Sequence, residues 1–192
     1  MKICKQGGCT WEDVAEFERS YNVQFPPDYQ EFLVKYNGGE TLDTHFYFNR
    51  KLESDVVCFY GIGDVEYSVQ NATFPEEIEL PELLERGLFP IAENMFGDYI
   101  LMDVKEAPGR VYFCLHDEGF EIYKLTDDFK SFVKKCKTDK IDIADYTESV
   151  ESRAAGLIAR GKGANINERL IQAWKEEIAK YQGKNPETVK LS

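Results

Sequence analysis

One stretch near the start of the chain, residues 10–40, constrains the fold more than any other. Its sequence, TWEDVAEFERSYNVQFPPDYQEFLVKYNGGE, predicts two short amphipathic helices separated by a double-proline corner. Thr10 with Asp13 three residues later is a capping-box pattern that starts the first helix, and Gly38 or Gly39 can take the left-handed conformation that ends the second. One apolar face per helix follows from the spacing of Trp11, Val14, Phe17 and Tyr21, and of Tyr29, Phe32, Leu33 and Tyr36.

Composition limits the class of protein. A length of 192 residues suits one domain with an appendage, and 43% hydrophobic residues are enough for a core. No apolar run approaches the roughly 20 residues of a membrane span, and the N-terminus lacks the apolar centre of a signal peptide. We therefore expect a cytoplasmic protein that makes no membrane contact. Free thiols are expected because the cysteines are odd in number and lack paired spacing: Cys4, Cys9, Cys58, Cys114 and Cys136.

The negative charge is concentrated in the first part of the chain. Residues 1–138 contain 14 Lys and Arg against 26 Asp and Glu, whereas residues 139–192 contain 9 of each. An acidic surface repels nucleic acid and anionic membranes and attracts cationic partners. The sequence therefore predicts no direct nucleic-acid binding. Simple solubility explains the charge equally well when charge alone is considered.

After residue 39 the hydrophobic pattern changes from helical spacing to alternation, which predicts strands. These strands follow one another as hairpins and do not alternate with helices, which favours an α+β fold. Two further helices are predicted around residues 80–84 and 129–136, the second with an apolar stripe. The predicted strands are 44–48, 55–60, 88–92, 98–104, 110–116 and 120–125.

The tail, residues 138–192, differs from what precedes it. It is polar apart from an amphipathic helix predicted at about residues 165–182. The apolar face of this helix needs a surface to cover it. That surface is either the protein's own domain, which is the usual case, or a second copy or another partner, so a homodimer through the C-terminal helix is an open alternative.

The sequence of the two helices within residues 10–40 and of the strands after them closely resembles the SUKH superfamily. This superfamily includes the yeast Smi/Knr cell-wall regulators and many bacterial immunity proteins. The resemblance covers about residues 10–137 and implies an α+β fold: a curved, mainly antiparallel sheet with helices packed on one face, here with a C-terminal helical extension. It implies a SUKH-like domain at residues 1–137 and an extension at 138–192. The matching motifs are Trp11, Phe25, Pro26, Asp28, Tyr29, Phe32, Leu33, Tyr36, Asn37, Gly38 and Gly39, then LFPIAENxxGDYILMD, VYFxxHD and TDDFxxFV.

A search for an active site finds none. His116 with Asp117 could be a base and its carboxylate, and Cys58 or Cys114 a nucleophile, but structural roles are favoured because catalytic cysteines need a basic setting. Zinc-ligand spacing, a phosphate-binding loop and a dinucleotide fingerprint are absent from the sequence, so no metal and no cofactor is predicted. Asp98, beside a glycine, is better explained as a turn residue that accepts backbone N–H groups.

The resemblance therefore implies binding instead of catalysis. The expected partner is a cognate, basic toxin domain, such as a nuclease or deaminase, whose active site would be occluded by acidic side chains. The alternative is a regulatory scaffold of the Smi/Knr type that binds signalling partners. Candidate partner-binding residues lie in or beside predicted loops: the acids Asp43, Glu66, Glu93, Asp117 and Glu118, and the aromatic anchors Tyr60 and Tyr67.

Overall fold

The computed structural model describes residues 1–48, 52–72, 79–117, 121–139 and 142–192. The chain forms two compact units. The first comprises Met1–Asp139 together with Pro186–Ser192, and the second comprises Lys140–Asn185. A mainly antiparallel sheet with helices fills the first unit and helices fill the second, so the expected α+β class with C-terminal helices is confirmed. The extent of the SUKH-like domain, 1–137, stays a prediction.

One open sheet runs through the first unit. Within the described residues its strands are β1 (Lys2–Lys5), β2 (Gly39–Tyr47), β3 (Glu53–Phe59), β4 (Leu88–Glu93), β5 (Tyr99–Asp103), β6 (Val111–Leu115), β7 (Glu121–Thr126), β8 (Lys137–Thr138) and β9 (Glu187–Thr188). Their order is β7-β6-β5-β4-β3-β2-β1-β9, with β8 also beside β2, and the paired strands are antiparallel. The sequence did not predict β1, β8 or β9. Residue 120, predicted to begin a strand, lies outside the described residues.

Within the described residues of the first unit the α-helices are α1 (Trp11–Tyr21), α2 (Pro27–Tyr36), α3 (Leu80–Glu85) and α4 (Phe129–Lys135). The predicted capping box of α1 is confirmed, because Asp13 N donates to Thr10 Oγ1 (3.1 Å) and Thr10 N donates to the Asp13 carboxylate (2.8 Å). Trp11 lies outside the core and is 58% exposed. The prediction that a glycine ends α2 is wrong: Asn37 is the left-handed residue at its end, with φ 47°.

The core is built from aromatic rings between the sheet and three of these helices. Phe89 on β4 contacts Phe17 of α1 and Tyr29 of α2, with ring centroids 6.0 and 5.8 Å apart. Phe59 on β3 contacts Phe32 of α2 at 5.4 Å and lies edge-on to Phe129 of α4 at 6.3 Å. Burying several large rings in one layer supplies most of the hydrophobic stabilisation of such a domain. The helices are therefore fixed on the sheet.

The second unit contains α5 (Ile143–Tyr146), α6 (Val150–Ala159) and α7 (Glu168–Tyr181). Asn167 caps α7 by accepting a hydrogen bond from Leu170 N at 3.0 Å, so the helix predicted at about 165–182 forms, though it begins a turn later. Arg153 joins α6 to α7 through Glu177 at 2.5 Å and donates to the Tyr146 carbonyl at 2.7 Å. None of the residues in these three helices is buried, so the helices enclose no core. These polar contacts hold the unit together with a ring contact between Tyr146 and Tyr181, whose centroids lie 4.6 Å apart.

The last residues return to the first unit. Strand β9 pairs with β1, and Val189 is buried. Lys190 N donates to the Tyr36 hydroxyl at 2.9 Å, and Ser192 N donates to the Glu31 carboxylate at 2.9 Å. This segment, residues 186–192, covers the outer edge of β1 and the side of α2, and we call it the C-terminal clasp.

Candidate functional site

Four of the seven predicted partner-binding residues surround the thiol of Cys58. Cys58 and Glu93 lie opposite each other on β3 and β4, with the sulfur 3.5 Å from Glu93 Oε1. The Tyr60 hydroxyl donates a hydrogen bond to the second oxygen of the same carboxylate. Glu66 and Tyr67, on the loop after β3, also interact electrostatically with this thiol. We call these five residues the tyrosine–glutamate cluster.

Burial determines what this cluster can offer a partner. Tyr60 is 4% exposed and its hydroxyl is used by Glu93, so it presents almost no surface. Burial, and then the Glu93 carboxylate, raises the pKa of both the Cys58 thiol and the Tyr60 hydroxyl, which therefore stay neutral. Glu66 is exposed and Tyr67 is partly exposed. Of the two predicted aromatic anchors, Tyr67 is thus the one with area available for contact.

A groove of about 660 Å³ lies at the ends of β2 and β3, beside the turn formed by residues 94–98. Five carboxylates line it, and those of Asp43, Glu53 and Asp139 are exposed. Among the described lining residues His45 is the one basic side chain, and there is no Lys or Arg. We call this feature the acidic groove, and the described residues that line it are Asp43, His45, Tyr47, Phe48, Glu53, Ser54, Asp55, Asn94, Phe96, Asp98, Phe113, Leu115 and Asp139.

Asp43 belongs to the groove because β2 contains a bulge. The register between β2 and β3 shifts between Glu40 and Thr44, and Asp43 within that interval has φ 44°. Aspartate tolerates this left-handed conformation better than most residues, and bulges redirect side chains. Asp139 N donates to the Asp43 carbonyl at 3.2 Å, which holds a second carboxylate beside the first.

A polar network holds the turn at residues 94–98. Asn94 Oδ1 accepts from Phe96 N (2.9 Å) and from Asp98 N (2.8 Å), while its Nδ2 donates to Asp98 Oδ2 (2.9 Å). Asp98 Oδ1 accepts from His116 N at 3.1 Å and lies 2.8 Å from His116 Nδ1. The prediction that Asp98 is a turn residue accepting backbone N–H groups is confirmed in part: Asp98 accepts one backbone N–H, from His116, and Asn94 accepts those of the turn itself. The imidazole of His116 is paired with Asp98, whereas the sequence had suggested Asp117.

Ligand atoms of Asp98, His116 and Asp117 lie within 4.8 Å of one another, a spacing that a metal ion can bridge. Both oxygens of Asp98, however, already accept hydrogen bonds from Asn94 and His116. The carboxylate is therefore satisfied by protein donors, and an ion would have to displace them. The geometry is explained by the hydrogen-bonded pair of Asp98 and His116, which stabilises the turn, and the absence of a metal site stays a prediction.

The cysteines do not have the properties of nucleophiles. All five are free thiols, and Cys4 is the one that is not buried. Burial raises the pKa of Cys9 to about 11 and those of Cys114 and Cys136 to about 12. A catalytic cysteine needs a pKa shifted in the opposite direction.

The remaining predicted residues lie apart from the tyrosine–glutamate cluster. Asp43 lies in the acidic groove, Asp117 is exposed beside His116, and Glu118 lies outside the described residues. Several groove residues were not predicted, although alternation along the strands indicates some of them, because every second residue of a half-buried strand faces solvent. The missed residues are Tyr47, Glu53, Asp55, Phe96 and Asp139.

In the described chain, no helix has both the length and the apolar character needed to cross a membrane. The profile of the SMI1 / KNR4 family (SUKH-1) matches residues 8–135. A related protein, the SPbeta prophage-derived uncharacterized protein YokK of Bacillus subtilis (strain 168), is 28% identical over 145 residues, which span 65% of this chain and 72% of that protein. No solved structure matches significantly. Because the profile spans most of the chain and runs from α1 through α4, this protein belongs to the SMI1 / KNR4 family (SUKH-1).

Proposed function

We propose that this protein is an immunity protein that binds a basic toxin domain and blocks its active site. The family membership supports an immunity-type or Smi/Knr-type domain in general. The observation that carries the more specific proposal is the acidic groove, which is lined by five carboxylates, three of them exposed, without Lys or Arg among the described lining residues. A groove of this charge suits the Lys and Arg side chains that a nuclease or deaminase uses to hold nucleic acid.

The mechanism is competitive occupation. Carboxylates of the groove take the place of substrate phosphates, and the toxin's basic residues are neutralised at close range. Opposite charges accelerate association and are screened by salt, so the rate of complex formation falls as ionic strength rises. The same charge disfavours direct nucleic-acid binding. We place this activity in the cytoplasm, where free thiols such as those of this chain persist.

A regulatory scaffold of the Smi/Knr type is the second candidate, and one observation favours it. The second unit has no buried residue in its helices and contains an open groove of about 510 Å³ between α6 and α7, lined in part by Leu157, Leu170 and Trp174. Its three apolar side chains lie among charged and polar ones, namely Asp145, Glu148, Arg153, Arg160 and Asn165, and a mixed surface of this kind suits a signalling partner or a second copy of the chain. In this alternative α7, and not the acidic groove, carries the binding.

The test compares two triple variants of equal charge change. Asp43→Asn, Glu53→Gln and Asp139→Asn neutralise exposed acids of the acidic groove, and the control Glu16→Gln, Glu85→Gln and Glu151→Gln neutralises exposed acids elsewhere. Each protein is used as bait in lysate of its source, and the captured domain is then tested for toxicity and for rescue of growth.

If the proposal holds, one basic toxic domain is captured, wild-type and control proteins rescue growth, and the groove variant associates about tenfold more slowly at low salt. Equal behaviour of the two triple variants would contradict the acidic-groove mechanism. Capture of several non-toxic proteins that is lost on deleting residues 165–182 would favour the scaffold.

A further inference from the structure

Two large apolar side chains are fully presented to solvent at the apex of the turn formed by residues 94–98. Met95 is 69% exposed and Phe96 is 71% exposed, the highest values among the exposed large hydrophobic residues of the described chain. They are adjacent in sequence, and Phe96 also lines the acidic groove. Single exposed apolar residues are ordinary, whereas two adjacent ones on one turn form a small apolar patch of the kind that a partner can cover. We call these two residues the apolar tip.

Hydrogen bonds with side chains hold the turn that carries the apolar tip in one conformation. Its backbone amides are held by side chains from several segments: Met95 N donates to Asp55 Oδ2 at 3.3 Å, and Phe96 N donates to Asn94 Oδ1 at 2.9 Å. Asn94 itself donates to Ser54 Oγ on β3 at 3.0 Å, and Asp98 is fixed by His116. A loop held in this way loses little conformational entropy when it binds, which is the property of a preorganised anchor.

The exposed side chains of Met95 and Phe96 do not contribute to the stability of the fold. The polar network is buried at Asn94 and Asp98, whereas the two apolar side chains that it supports remain in water. An exposed phenylalanine is a source of affinity when a partner covers it, because aromatic residues at the centre of an interface supply most of its binding energy. Methionine beside it adapts to an irregular surface.

We propose that the apolar tip inserts into an apolar pocket, ringed by Lys and Arg, on the toxin domain. This inference rests on the proposed function and adds the residues that determine how long the complex lasts. Charge identifies the occupant, since Asp55 and Asp117 lie next to the turn and Glu53 lines the same groove. A second copy of the chain would bring acid against acid, and an anionic membrane would repel the surface. A basic protein pocket is the complementary surface.

The acidic groove and the apolar tip then have separate kinetic roles. Long-range attraction by carboxylates governs the association rate, whereas desolvated apolar contacts govern the dissociation rate. Removing the tip should therefore shorten the lifetime of the complex and leave its rate of formation almost unchanged. Neutralising the acidic groove should slow the formation of the complex and leave its lifetime almost unchanged.

The experiment uses full-length protein and a panel of purified, catalytically inactivated nuclease and deaminase toxin domains, with association and dissociation rates measured on a biosensor. The test variant is Met95→Ser with Phe96→Ser. A matched control, Trp11→Ser with Ile158→Ser, removes two other exposed apolar residues, which are 58% and 64% exposed. Phe96→Leu tests whether a smaller apolar group restores binding.

For a domain that binds the wild type, we expect the test variant to dissociate at least about 30-fold faster, the change that corresponds to a 2 kcal/mol hot spot. Its association rate should change less than about threefold, its thermal midpoint should not fall, and the control and Phe96→Leu should retain binding. If the Met95→Ser, Phe96→Ser variant dissociated at the wild-type rate while the Asp43→Asn, Glu53→Gln, Asp139→Asn variant associated more slowly, the apolar-tip inference would be overturned. The proposed function would still stand. If the wild type bound neither a domain of the panel nor a toxic domain from lysate of its own source, both would be rejected.

Discussion

Asn37, Gly38 and Gly61 bring two backbone segments closer together than side chains would allow. Asn37 Oδ1 accepts from Ile62 N at 2.9 Å and its Nδ2 donates to the Ile62 carbonyl at 3.1 Å, so one buried amide fixes the loop after β3. A Cβ atom on Gly38 would lie 2.5 Å from Gly61 N, and one on Gly61 would lie 2.1 Å from the Asn37 carbonyl oxygen. The sequence predicted backbone geometry as the role of the glycines, but the loop they meet lies more than twenty positions away, so the contact could not be foreseen.

Replacing Gly38 by alanine should destabilise the protein. The added methyl group meets backbone atoms of Phe59 and Gly61 and forces a φ of +74° on a residue that resists it. We expect the free energy of unfolding to fall by roughly 3 kcal/mol or more, since strain and overpacking each cost about 1–3 kcal/mol.

Chemical denaturation followed by circular dichroism measures this change. Gly8→Ala is the matched control, because nothing lies within 4 Å of its Cβ position and its φ is not positive. The control should keep or slightly raise stability. A Gly38→Ala protein as stable as the control would show that the two segments can separate freely.

At the scale of elements, long and periodic segments were predictable and short ones were not. The helices α1, α2 and α4 and the strands from β2 to β7 follow hydrophobic spacing that the chain carries locally. Strands β1, β8 and β9 have two to four residues each, too few for a pattern, and they exist because β2 and β1 offer them an edge. Strand existence there is decided by tertiary pairing, which outweighs local propensity.

The C-terminal clasp should depend on the charge of Glu31. Hydrogen bonds from Lys35 and then from Ser192 lower the pKa of Glu31 to about 2. A carboxylate with a depressed pKa in the folded state contributes stability above its unfolded value of about 4.3, and that contribution is lost as the pH falls toward the folded value. Glu31→Gln should therefore loosen the clasp at neutral pH, where the charge normally holds it.

Hydrogen exchange of residues 186–192 measures the effect. We expect exchange of the Lys190 and Ser192 amides to rise roughly tenfold in Glu31→Gln, since a hydrogen bond to a charged group contributes about 1.5–3 kcal/mol. Glu16→Gln, an exposed acid on α1, should leave these amides unchanged. In the wild type, acidification from about pH 4.3 toward pH 2 should produce the same loosening. Identical exchange in both variants would show that β9 alone holds the clasp.

At the scale of the whole molecule, the candidate site is assembled from distant parts of the chain. Acidic and aromatic composition predicted a protein-binding surface near the loops, and Asp43 and Glu66 are indeed exposed. The acidic groove, however, unites residue 43 with residues 53–55, 94–98 and 139, and this grouping depends on a bulge and on strand order. Sequence patterns report which side chains face solvent but not which strands become neighbours.

The second unit is an insertion in the sequence between strands β8 and β9 of the sheet. Lys2 N donates to Thr138 Oγ1 at 2.8 Å, and Lys2 pairs with Thr188 across β1 and β9, so the chain leaves and returns beside one residue. Neighbouring strands lie about 4.8 Å apart, so the two ends are roughly 10 Å from each other. About four residues of flexible linker can span that distance.

We therefore predict that replacing residues 140–185 by four glycines leaves the first unit folded. The core rings, the sheet pairing and the C-terminal clasp are all retained, and the shorter loop lowers the entropy cost of closure. Thermal unfolding should stay cooperative, with a midpoint within about 5 °C of the full chain, since roughly 2–4 °C corresponds to 1 kcal/mol at this size. Truncation after Asp139, which also removes β9 and the clasp, is the matched control and should melt markedly lower. Binding of a toxin domain at unchanged rates would assign recognition to the acidic groove and apolar tip, whereas loss of binding from a folded excision variant would assign it to the helical unit.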